Sequence, residues 1–162
     1  MTVVANSGPL IAFAVIGQFD LLRQVYGGLR IPQAVYDEVV VQGAGQPGAA
    51  EVRGANWIQV EAVQDTRRVG QLQIQQGLHA GECEAIVLAT EQQADVVLLD
   101  DKDARTIAQQ AGLKVVGSAG VLVAAKRGGL IPEVRPLLDA MIAQGVRIAP
   151  GVRLAALRLA GE

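Results

Sequence analysis

A helix, a short turn, a buried strand and the start of a second helix are compressed into the stretch from Leu78 to Arg105, LHAGECEAIVLATEQQADVVLLDDKDAR. Gly81-Glu82-Cys83-Glu84 opens the first helix, and its body, Ala85-Ile86-Val87-Leu88-Ala89, is apolar almost all round. A helix with no polar side belongs in a core. Val96-Val97-Leu98-Leu99 is an aliphatic run of the kind that fills a central parallel strand, covered on both faces. Asp100, Asp101, Asp103 and Arg105 follow at its carboxyl end, the edge where open α/β sheets bind their ligands. The spacing predicts that Glu82, Glu84, Asp100, Asp101 and Asp103 converge there. Clustered like charges are costly unless a cation neutralises them, so the stretch is a candidate metal site. Each acid also has a simpler reading, because carboxylates cap free N–H groups and favour the positive end of a helix.

The rest of the chain repeats the strand-then-helix rhythm. Thr2 to Ala5 reads as a first buried strand ending at Asn6, with Ser7 as N-cap and Pro9 in the first turn of a helix from Leu10 to Ile16. Asp20 to Tyr26 is a second short helix. Leu29-Arg30-Ile31 is a strand, and Pro32 starts a helix whose apolar stripe is Val35, Val39 and Val40. Glu38 stands beside that stripe, three residues from Val35. Ala49 to Gly54 carries a short helix, Trp57 to Val60 alternates like a strand, and Asp65 to Gln76 reads as a solvent-facing helix. Asp103 to Ala111 is a helix stopped by Gly112. Lys114-Val115-Val116 is a strand, and Ala119 to Arg127 a helix. Another helix begins at Ile131-Pro132 and runs through Ile142, and Gly151 to Leu159 is a last amphipathic segment. No repeat or linker divides the chain, and its 162 residues suit one domain spanning 1–162.

Composition removes several function classes. The net charge of −2 gives no global field for nucleic acid, so polyanion binding needs a local basic patch. Arg67-Arg68, Arg105 and Lys126-Arg127 are the candidates. Cys83 is the only cysteine and His79 the only histidine, which excludes an intrachain disulfide and a His-based cluster within one chain. Asn6-Ser7-Gly8-Pro9 interrupts the apolar start, which argues against a signal peptide. No run of about 20 apolar residues exists to span a membrane. These features set a cytoplasmic location as the expectation. No glycine cluster has the spacing of a nucleotide-binding fingerprint.

Taken in order, five segments resemble the PIN-domain family. Val4-Ala5-Asn6-Ser7-Gly8-Pro9-Leu10-Ile11-Ala12 is similar to its opening motif, and Ile31-Pro32-Gln33-Ala34-Val35-Tyr36-Asp37-Glu38-Val39 to its second. Gly81-Glu82-Cys83-Glu84-Ala85-Ile86 resembles the third and Leu98-Leu99-Asp100-Asp101-Lys102-Asp103-Ala104-Arg105 the fourth. Gly117-Ser118-Ala119-Gly120-Val121-Leu122, with Gly129-Leu130-Ile131 after it, resembles an uncharacterised prokaryotic branch.

The resemblance implies a three-layer α/β fold, a central parallel sheet flanked by helices. It also implies a metal-dependent ribonuclease using Mg²⁺ or Mn²⁺, a toxin–antitoxin connection with a cognate antitoxin, and a homodimer. Glu38, Glu84 and Asp101 map onto family metal ligands, with Asn6 where the pattern has Asp. Ser7, Glu82, Asp100, Asp103 and Arg105 are supporting residues, with Glu82 a capping or outer group. An amide oxygen coordinates such ions without contributing charge. Two functions follow as expectations: an RNA-cleaving enzyme, or a catalytically weakened module that binds nucleic acid or protein.

Overall fold

In the computed structural model, which describes residues 1–162, five parallel strands form one sheet in the order β3-β2-β1-β4-β5. They are β1 (Val3–Ala5), β2 (Leu29–Pro32), β3 (Ile58–Glu61), β4 (Val96–Leu98) and β5 (Val115–Val116). β1 pairs with β4 through Val3–Val96, Val4–Val97 and Ala5–Leu98. Because side chains alternate along a strand, these two central strands feed two cores. Val3, Ala5, Val96 and Leu98 join a core of 25 buried residues on one face, and Val4, Val97 and Leu99 join one of 14 on the other. The run of four aliphatics in β4 and its extension is thus consumed on both sides.

The larger core is covered by α1 (Ser7–Val15), α2 (Asp20–Tyr26), α3 (Gln33–Tyr36), α8 (Ser118–Arg127), α9 (Arg135–Ala143) and α10 (Pro150–Leu159). The short α4 (Ala49–Gly54) adds Val52 to it. The smaller core is covered by α5 (Thr66–Gln76), α6 (Ala80–Glu91) and α7 (Lys102–Gln110). Helix α6 buries Cys83 and every residue from Ala85 to Ala89, as its apolar circumference demands. Burying a side chain such as Leu88 stabilises the fold by about 1.5–3 kcal/mol. The parallel sheet flanked by helices is the architecture implied by the sequence.

Three local expectations change. Helix α1 begins at Ser7, so Asn6 and not Ser7 occupies the N-cap position, with extended backbone at φ −87° and ψ 173°. Pro9 still fits, because its missing N–H lies in the first turn, where N–H groups have no intrahelical acceptor. Pro32 ends β2 and precedes α3, which opens into a π-helical turn over Asp37–Gln42. Val35, Val39 and Val40 are buried as the stripe required, and Glu38 is exposed. Finally, α9 begins at Arg135 and not at Pro132, because Pro136 sits in its first turn and the Val134 and Arg135 N–H groups are held from outside the helix.

Candidate metal centre

Winding runs outward from β1 to β2 and β3, then returns to β4 on the other side of β1. The carboxyl ends of β1 and β4 therefore flank the point where the winding reverses, the usual crevice for a ligand in such sheets. Asn6 leaves β1 there, its N–H donating to Leu98 O at 3.0 Å. The side chain is buried and makes no cap hydrogen bond. Its Oδ1 is the one buried side-chain nitrogen or oxygen in the chain without a hydrogen-bond partner. Leaving such an oxygen bare costs about 1–3 kcal/mol, and so exposed a lone pair is available to a donor or a cation.

Gly81 of helix α6 stands beside this oxygen. A Cβ there would lie 3.3 Å from Asn6 Oδ1, 3.4 Å from Val35 Cγ2 and 3.6 Å from Glu38 Oε2. Asn6 and Glu38 thus both stand against Gly81, whose missing side chain lets α6 pack closely on them. Glu82 Oε2 accepts the His79 N–H at 3.0 Å, closing the first turn of α6. Burial lifts the Glu82 carboxyl above the usual range, and the negative charges of Asp101 and Glu38 push the same way against that hydrogen bond. Glu38, Glu82 and Asp101 therefore share one negative field.

Glu84 takes a different direction. Residues two apart on a helix diverge by about 200°, and Glu84 Oε1 accepts the Ala34 N–H at 3.3 Å, at the start of α3. It ties α6 to the helix whose next turn carries Glu38. Asp101 is the N-cap of α7, its Oδ1 accepting from Ala104 N–H at 2.9 Å. Asp100 turns toward α8 instead: its Oδ1 accepts the Ser118 N–H at 2.7 Å and its Oδ2 the Ser118 hydroxyl at 2.6 Å. Arg105 Nη1 donates to Leu99 O at 2.9 Å. A Cβ on Gly117 would come within 2.7 Å of that same nitrogen and 3.0 Å of Asp100 Oδ1, so this corner tolerates only glycine without a shift. Asp103 is exposed in the first turn of α7, and Ser7 is half-buried with no side-chain hydrogen bond.

The expectation of five converging carboxylates is therefore corrected. Free N–H groups at helix starts engage these acids: Glu84 gives one oxygen to Ala34 N–H, Glu82 one to His79 N–H and Asp101 one to Ala104 N–H, while Asp100 turns both of its oxygens to Ser118. No three Asp, Glu, His or Cys side chains form a ready cage for a cation. Asn6 Oδ1 and Glu38 Oε2, which both stand beside Gly81, are hard oxygen donors of the kind suited to Mg²⁺ or Mn²⁺. Two contributors escaped the sequence reading. Ser118, fully buried, looked like part of a Gly-Ser turn, and Gly81 gave no sign that its lack of a side chain lets α6 pack closely on Asn6 and Glu38.

No curated protein matches the chain. The family model DUF3368, a PIN domain, matches residues 2–162, so the match takes in every element from β1 to α10 and both sides of the switch point. The chain belongs to the PIN-domain family, a nuclease-like fold.

Proposed function

We propose that this chain is a divalent-cation-dependent endoribonuclease, with Asn6, Glu38, Glu82 and Asp101 holding Mg²⁺ or Mn²⁺. The observation that carries the reading is the buried, unpartnered Asn6 Oδ1 at the switch point, close to Glu38 across Gly81. A divalent cation at such a site supplies Lewis-acid polarisation of the scissile phosphate and of the attacking water. The chain's own residues set the stage. Asn6 brings a neutral oxygen at the sheet edge, and the three carboxylates bring the charge that attracts the ion. Glu84 is a positioning residue: its bond to Ala34 N–H fixes α3 against α6 and so fixes the direction of Glu38. Asp100, through Ser118, fixes the strand end that carries Asp101.

The experiment pairs a Mn²⁺ thermal shift with cleavage of a fluorogenic single-stranded RNA. A cation bound only by the folded state raises the melting temperature, and the stabilisation grows with the logarithm of its concentration above Kd. Glu82→Gln and Asp101→Asn should abolish the shift and lower cleavage a hundredfold or more. Glu84→Gln should keep part of both, as a positioning role requires. A wild type unmoved by millimolar Mn²⁺ defeats the reading.

The amide at position 6 supports a second reading, a weakened module that binds nucleic acid without cleaving it. Equal background cleavage by wild type, Asn6→Asp and Glu82→Gln would favour it. A toxin role with a cognate antitoxin rests on the family resemblance alone. Growth arrest on induced expression, relieved by Glu38→Gln, is its test.

A further inference from the structure

A cleft of about 1540 Å³ lies beside the acid cluster and shares with it only Asp100 and Asp101. Its size exceeds the usual range of about 300–1,000 Å³ for a small-molecule site. It is bordered by α1, the open edge of β5, α8 and the 144–149 segment before α10. Five of its lining residues are cationic: Lys102 and Arg105 near the carboxyl edge of the sheet, Lys114 at the amino end of β5, Arg127 at the end of α8, and Arg147. Its only acids are Asp100 and Asp101. None of the five cations is in an ion pair, for the four pairs of the molecule use Arg23, Arg30, Lys126 and Arg153. A chain of net charge −2 thus sets five unpaired cations against two acids along one cleft whose floor is otherwise largely apolar.

We propose that this cleft is the track on which a single-stranded polynucleotide is held by its phosphates and delivered to the acid cluster. The inference rests on the nuclease reading for the identity of the polyanion. Helix α8, with ten residues, gives the track a length of about 15 Å. Tyr26 is the only aromatic residue in the lining, so base stacking contributes little and the track tolerates sequence. An acidic peptide is the rival occupant, adding a strand to the free edge of β5. That edge has two residues, Val115–Val116, too short a template for strand addition to supply much affinity.

Fluorescence anisotropy of a labelled ten-nucleotide single-stranded RNA, in EDTA to prevent cleavage, tests this between 50 and 200 mM salt. Five phosphate contacts give a slope of log affinity on log salt of about −3.5. The triple variant Lys114→Gln/Arg127→Gln/Arg147→Gln should lower that slope by about 2 and weaken binding at least tenfold at 100 mM salt. Arg67→Gln/Arg68→Gln, on α5 outside the cleft, should change neither. The Mn²⁺ thermal shift reads the acid cluster alone and should be kept by the triple variant. Loss of RNA binding in the triple variant supports the track even if the wild type shows no Mn²⁺ shift, in which case only the nuclease reading falls. Unchanged binding by the triple variant overturns the proposal. So does loss in the Arg67/Arg68 variant instead, or displacement of the RNA by polyglutamate at equal charge.

Discussion

Asn6 concentrates the tension between stability and function in a single atom. Its Oδ1 is buried with no donor, and an apolar residue of similar shape would remove that desolvation cost. Asn6→Leu should therefore raise stability in EDTA by about 1–3 kcal/mol and abolish the Mn²⁺ response. Asn6→Asp should do the reverse. A fourth carboxylate beside Glu38, Glu82 and Asp101 increases repulsion without a cation and attraction with one. Urea unfolding of the three proteins, each with EDTA and with Mn²⁺, checks both directions; a destabilised Asn6→Leu would mean that the amide has a structural role. Asn6, Glu38 and Asp101 could be named as candidates because each lies where an element starts or turns, and such positions can be read from pattern. Pattern alone does not make the choice between Glu82 and Glu84. It depends on the rotation of α6 relative to α3, which tertiary packing sets. The role of Ser118 depends on a contact 18 residues away in sequence.

At the scale of elements, most strands and helices followed from periodicity, and Asp20–Tyr26 and Ala49–Gly54 agree at both ends. The failures lie where remote groups satisfy a helix end. The start of α9 is one: Val134 N–H and Arg135 N–H donate to the Glu162 carboxylate at 2.7 and 3.0 Å, and Lys126 Nζ adds a third contact at 3.0 Å. A side chain 27 residues away does the work usually left to a local cap. The Val134 N–H, with Arg135 N–H and Lys126 in support, holds the Glu162 carboxyl down at about 2, below its ordinary value of 4.5. A depressed folded-state value means the stabilisation is present above pH 4.5 and fades as pH falls from 4.5 toward 2. Glu162→Gln should thus melt at a lower temperature than wild type at pH 7, and the gap should close by pH 2. A gap that is constant with pH would show that the carboxylate's charge contributes nothing to the clamp.

For the whole molecule, the sequence showed that a parallel sheet was present but not its strand order, because order is fixed by which helix packs on which face. That order creates the switch point and with it the site. It also decides the fate of the C-terminal segment, for which the sequence allowed docking or dimerisation. Helix α10 docks through Ala156 and Leu157, both buried in the larger core. Its remaining apolar side chains are divided: Val152 and Leu159 border the cationic cleft, and Leu154 does not. Leu154 is 61% exposed and stands near Arg153 and Arg158. A stable interface covers about 800 Å² on each partner, far more than one leucine between arginines provides. Covering Val152 and Leu159 with a second copy would close the cleft proposed as the polynucleotide track. We therefore expect light scattering to give a monomer mass at tens of micromolar, and Leu154→Glu to leave both that mass and the melting temperature unchanged. A wild-type dimer that Leu154→Glu splits would instead make α10 the interface implied by the family resemblance.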